Sequence, residues 1–146
     1  MLDENLLICM EQKTILLTHI MNLTKQIEVR CKQTEIILDN LLEERKAYID
    51  RVAKCNKLID YILEKTESRE KEHLQKILSV SAVAKASTAE EKRLLEYAIN
   101  CEKYLRKILS LDKNTLRKLR RDHDEIQEVI IKNHKKKNKT LFDNFK

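Results

Sequence analysis

The chain contains no glycine and no proline in its 146 residues. A protein of this length ordinarily carries roughly ten of the first and seven of the second. These two residues supply tight turns, strand ends and helix stops. Without them the chain has little means of changing direction sharply, and mostly helix is left. Glycine-rich phosphate loops, nucleophile elbows and most tight hairpins are removed as well.

Composition narrows the helical reading. Charged residues make up 37% and hydrophobic ones 42%, with 4 Tyr, 2 Phe and no Trp. That balance suits elongated helices with thin apolar seams, and the apolar share is too high for a fully disordered chain. Residues 1–66 hold 10 basic and 11 acidic side chains and residues 67–146 hold 20 and 13, so the formal net charge of +6 comes from the second half. Acidic and basic residues interleave almost everywhere, the pattern of a solvated helix face rather than of a nucleic-acid footprint. The length fits one domain.

From Leu6 to Ile62 one frame alternates steps of four and three without a slip: Leu6, Met10, Lys13, Leu17, Ile20, Thr24, Ile27, Cys31, Thr34, Leu38, Leu41, Arg45, Tyr48, Val52, Cys55, Ile59, Ile62. Such spacing keeps one stripe on one helix face, as a coiled-coil seam does. Asp3 is placed to cap its start. The stretch from Thr24 to Thr34 is weak, and Thr34 followed by Glu35 offers a place to restart a second helix. With no glycine or proline to turn the chain, the preferred expectation is one continuous or gently kinked helix over about 3–66. Arg45 stands inside this seam. It either lays its stem on the seam and sends its guanidinium to a carboxylate, or fixes helix register as a buried polar residue.

A polar stretch, Thr66 to Glu72, precedes a second helix over about 68–80. The small-residue segment Ser81–Thr88 reads as the main loop or a frayed helical turn. Thr88 with Glu91 matches a capping box, and Ser87 with Glu90 is the alternative. The last helix is expected over about 89–134, with a frame of Leu94, Ala98, Cys101, Leu105, Ile108, Asp112, Thr115, Leu119, Asp122, Ile126 and Val129. Leu109, Leu116 and Ile130 form a neighbouring stripe. Residues 135–146 are a basic tail, expected to be flexible, that holds both phenylalanines. The expected fold is all-α: a long antiparallel helical hairpin with a shorter helix between its arms, or a three- to four-helix coiled-coil-like bundle, formed as one domain over 1–134. A homodimer is compatible with so thin a seam.

No catalytic constellation emerges. His19, His73, His123 and His134 are scattered, with no metal-binding spacing, and read as surface residues. Adjacent carboxylates such as Glu43 and Glu44 point about 100° apart on a helix and cannot converge on one substrate. Cys9, Cys31, Cys55 and Cys101 form no close pair and read as reduced thiols, the last three on apolar helical positions. Arg117, Lys118, Arg120 and Arg121 make a basic cluster, but acidic residues follow it and no stacking aromatics accompany it. No signal peptide and no apolar run of membrane-spanning length is visible. The expectation is a cytoplasmic protein that is no enzyme and uses no cofactor or metal.

The segment ILLTHIMNLTKQIEVRCKQTEIILDNLLEERKAYIDRVAKCNKLID, Ile15 to Asp60, resembles the first helical region of flagellar export chaperones of the FliT/FlgN type. Leu38, Leu41, Leu42, Glu44, Arg45, Tyr48, Ile49 and Asp50 carry the likeness. ILSLDKNTLRKL, Ile108 to Leu119, is similar to a later segment of FliT-like members, and the basic tail ending in LFDNFK adds to it. The resemblance implies a cytoplasmic type III export chaperone for a late flagellar subunit, either a filament-cap or a hook–filament junction protein, with the export ATPase and gate as further partners. Such a chaperone needs an exposed apolar stripe for a partner helix. The candidates are Leu109, Leu116, Leu119, Ile126, Val129 and Ile130, with Leu141, Phe142 and Phe145 as a latch or second contact. The alternatives are a structural coiled-coil scaffold that self-assembles and, behind it, a basic regulator that binds nucleic acid.

Overall fold

A computed structural model describes residues 2–31, 38–83 and 85–134, with side chains followed as far as Arg121 and at Asp124. The fold is all-α. Its helices are α1 (Glu4–Arg30), α2 (Asp39–Glu64), α3 (Ser68–Leu78) and α4 (Ala89–His134). The described residues contain no strand.

The expected helix over 3–66 is two helices. α1 ends at Arg30, where the Cys31 N–H bonds back to the Ile27 carbonyl, and α2 begins at Asp39 with Leu38 as an N-cap that supplies no side-chain bond. The proposed restart at Thr34 lies outside the described residues. The reason for folding back is burial. A 60-residue rod would extend roughly 90 Å, well beyond α4 at roughly 69 Å, and part of its stripe would face water. As a hairpin, the same stripe packs against itself: Leu23, Ile27 and Cys31 of α1 form one cluster with Leu41 of α2. At the other end Leu6, Leu7 and Met10 meet Ile59 and Leu63. The two helices are therefore antiparallel, and between these clusters His19 stacks on Tyr48 with ring centroids 4.9 Å apart.

α4 returns parallel to α1. Leu94, Ala98 and Cys101 join the cluster around Leu6 and Leu17, and the Thr14 hydroxyl lies 3.3 Å from Cys101 Sγ. Leu119 packs on the cluster of Ile27 and Cys31. α1 is thus the central helix, flanked by α2 on one side and α4 on the other. Of the two architectures expected, the bundle is the one observed. Residues 122–134 continue α4 past the level at which α1 ends.

The 4–3 frame survives the break. Every described frame position from Leu6 to Ile62 is buried or half-buried, Thr24 completely so. Thr24 tolerates burial because its hydroxyl donates to the Ile20 carbonyl at 2.7 Å, satisfying itself within its own helix. Thr14, Thr18, Thr66 and Thr115 make the same backward bond.

α3 packs through Leu74 and Ile77. It stops in a Schellman motif: the Val80 N–H bonds to the Ile77 carbonyl and the Ser81 N–H to the Lys76 carbonyl. That motif needs a left-handed residue, ordinarily glycine. Here Val80 takes φ 54°, a strained setting for a β-branched side chain. Its contact with the main core cluster offsets the strain. α4 opens with the expected capping box. The Glu91 N–H bonds to Thr88 Oγ1 at 3.1 Å, and Glu91 Oε1 accepts from the Ser87 and Thr88 N–H groups.

Candidate functional site

Among the polar residues that interrupt the apolar frames are Arg45 in α2 and Asp112 in α4, and the fold brings these two together. Arg45 donates from both terminal guanidinium nitrogens to the two carboxylate oxygens of Asp112, each at 2.7 Å. This fork-to-fork geometry is the strong form of such a pair. The stem of Arg45 lies against the bundle, and its Nε is buried without a hydrogen-bond partner. Of the two roles open to Arg45 from sequence, the partnered one is observed: its guanidinium meets a carboxylate on a neighbouring helix.

The surroundings of this pair are apolar and open. Leu42 and Ile49 stand three residues before and four after Arg45. Leu109 and Leu116 stand three before and four after Asp112. Residues at these offsets share one helix face. Because α2 and α4 run antiparallel, Leu42 lies level with Leu116 and Ile49 level with Leu109. All four are exposed, Leu109 at 67% and Leu116 at 46%, and Leu105 extends the row by one turn. The result is a shallow groove between α2 and α4, apolar on both flanks and crossed at its middle by an ion pair.

Of the residues expected to bind a partner, Leu109 and Leu116 are on this surface. Leu119 is not: it is half-buried against Ile27 and Cys31 and serves internal packing. The side chains of Ile126, Val129 and Ile130 lie outside the described residues, as do Leu141, Phe142 and Phe145. The α4 frame has one error. Leu105 is exposed, whereas Leu111, outside the frame, is buried. The contribution of α2, Leu42 and Ile49, escaped the sequence reading. The available signal was the opposite charge of Arg45 and Asp112 within the frames, each with leucine or isoleucine at the same offsets.

The other polar candidates take structural places. His73 Nε2 lies 3.1 Å from Glu91 Oε2 and ties α3 to the start of α4. With His19 stacked on Tyr48, two of the four histidines read as surface residues have specific partners. Burial tends to raise the Glu91 carboxyl, but the N–H groups of Ser87 and Thr88, the Ser87 hydroxyl and His73 outweigh it and hold the group below its ordinary range. Burial pushes the Cys101 thiol up, against the opposing effects of Thr14 and Lys13. All four cysteines are free. Arg117, Lys118 and Arg121 line a shallow hollow together with Glu28 of α1, so a carboxylate sits within the basic cluster. Among the described residues no group of His, Cys, Asp or Glu is arranged to hold a metal ion. No helix among them is long and apolar enough to cross a membrane.

Compared with known proteins, the chain matches no family model, no curated protein and no solved structure.

Proposed function

We propose that this protein is a helix-binding module whose α2/α4 groove takes the apolar face of a partner helix, and that it serves as an export chaperone of the FliT/FlgN type. The observation that carries the binding reading is the paired exposure of Leu42 with Leu116 and of Ile49 with Leu109 on either side of Arg45–Asp112. Two antiparallel helices with an open apolar trough accept a third in bundle fashion, and an amphipathic helix supplies anchors at the matching spacing. The resemblance of Ile15–Asp60 to the chaperone family supplies the client class: the helical end of a filament-cap or hook–filament junction protein, held apart from premature assembly in the cytoplasm. Arg45, Leu42 and Ile49 belong both to the residues that carry that resemblance and to the groove. The role requires no reaction.

The test separates groove from core. Leu109→Glu and Leu116→Glu place a charge where a client helix would lie, and each should raise the dissociation constant about tenfold or more with helicity unchanged. Leu119→Ala, on the inward side of the same helix, should lower the melting temperature and leave binding by the folded protein intact. Titration calorimetry against helical ends of the flagellar subunits provides the measurement. Binding indifferent to both glutamates would remove the groove, and no complex with any flagellar subunit would remove the export role.

A further inference from the structure

The face of α1 opposite its buried seam is exposed, with His19 on it stacked on Tyr48 of α2. α1 carries six charged residues in 27, whereas α2 carries eleven in 26. All six charged residues lie off one stripe. Ile8, Gln12, Ile15, Asn22, Gln26 and Val29 follow the same alternation of four and three that builds the inner seam, with His19 filling the one gap. All six are exposed, Ile8 at 49%, Ile15 at 43% and Val29 at 58%. An uncharged stripe of seven positions is unexpected on the open face of a chain that is 37% charged. A helix bearing seams on two faces has two sets of neighbours to satisfy, and the bundle satisfies one.

The charges beside this stripe indicate the second neighbour. Glu4, Glu11, Thr18 and Lys25 fall at intervals of seven, so they form one column along its flank. The column is acidic toward the N-terminus and basic toward the C-terminus. In an antiparallel pairing of two identical helices, equivalent flank columns face each other. A two-fold axis near Thr18 and His19 then sets Glu11 opposite Lys25 of the other copy, twice by symmetry, and Thr18 opposite its own equivalent. The same axis sets Ile8 level with Val29 and Ile15 level with Asn22 of the other copy. A parallel pairing has no such match.

We infer that α1 is a self-association helix: two copies of this chain pair antiparallel through the Ile8–Val29 stripe, about a dyad at Thr18–His19. The stripe is about 32 Å long, and its polar glutamines and asparagine set register while Ile8, Ile15 and Val29 supply the apolar contacts. The face lies opposite the α2/α4 groove, so a dimer leaves both grooves open. The inference does not depend on the export role.

Sedimentation equilibrium of the full chain, with circular dichroism as the folding control, tests it. The native chain should dimerise. Ile15→Glu should shift the dimer dissociation constant at least tenfold while helicity stays constant. Glu11→Lys and Lys25→Glu should each weaken the dimer, and the double exchange should restore it. Residues 11 and 25 are about 21 Å apart along one helix, so rescue cannot arise within a chain. A protein that stays monomeric at about 0.1 mM, a dimer indifferent to Ile15→Glu, or an exchange that fails to rescue would each overturn the inference. Client titrations on Ile15→Glu should match the native protein, which separates this surface from the groove.

Discussion

A polar residue on a helix seam can be satisfied within its own helix or across the bundle, and this chain uses both. The seam threonines Thr24 and Thr115 turn their hydroxyls back on the preceding turn, which lets them count as nearly apolar. Arg45 and Asp112 reach across instead. Their bond is partly open to water, with side chains 18% and 31% exposed, so its net worth is small compared with that of a fully buried pair. Its value lies in specificity: sliding α2 by one turn against α4 would strand both charges. Arg45→Ala or Asp112→Ala should each cost about 1–2 kcal/mol. Replacing both with leucine should bring stability back to within about 1 kcal/mol of the native chain. A double-mutant cycle in urea measures the coupling. A doubly substituted protein as unstable as the sum of the two losses would show that the residues act separately.

The helix boundaries were legible wherever a side chain marks them. Asp3 caps α1 as expected, its carboxylate accepting from the Asn5 N–H at 2.8 Å, and Thr88 with Glu91 caps α4. The break after Arg30 was weakly marked. Leu38, the N-cap of α2, offers no side-chain acceptor, and the 4–3 frame runs straight through, because an antiparallel partner accepts the same spacing as a continuation. Periodicity reports which face is buried, not what covers it. The groove was legible by half for the same reason: Leu109 and Leu116 stood out as a surplus stripe on α4, while Leu42 and Ile49 became meaningful only beside Asp112. At the start of α4, Glu91 couples a cap to the attachment of α3. Its carboxyl is held below the ordinary range, so the folded state favours its ionised form. That contribution is complete above the unfolded-state value and lost as pH falls through the folded one. Glu91→Gln should therefore cost roughly 0.5–1 kcal/mol at neutral pH, and the deficit should shrink as pH falls through the folded-state value of Glu91. Urea midpoints across that range provide the check. A deficit independent of pH would assign the loss to packing rather than to charge.

At the scale of the molecule, stability is distributed unevenly. α1 is covered along its length by α2 and α4 together, and Leu17, Ile20 and Thr24 are almost completely withdrawn from water. α3 has eleven residues, too few to persist alone. It is held by Leu74 and Ile77, by the His73–Glu91 bond and by a C-terminal turn strained at Val80. The free energy of opening α3 should therefore fall below that of the whole bundle. Native-state hydrogen exchange is expected to give the amides between Leu16 and Thr24 the global unfolding free energy. The amides of α3 should exchange through a smaller opening, insensitive to low urea. Ile77→Ala should lower protection in α3 more than in α1, because the cavity it leaves is charged first to the element that can detach. If α3 proved as protected as α1, with the same urea dependence, the four helices would form a single cooperative unit. The link between α3 and the start of α4 would then be as strong as the central seam. An α3 that opens separately has a mechanical consequence: the α2/α4 groove is framed by helices anchored on α1, so its apolar rows keep their spacing while α3 comes and goes.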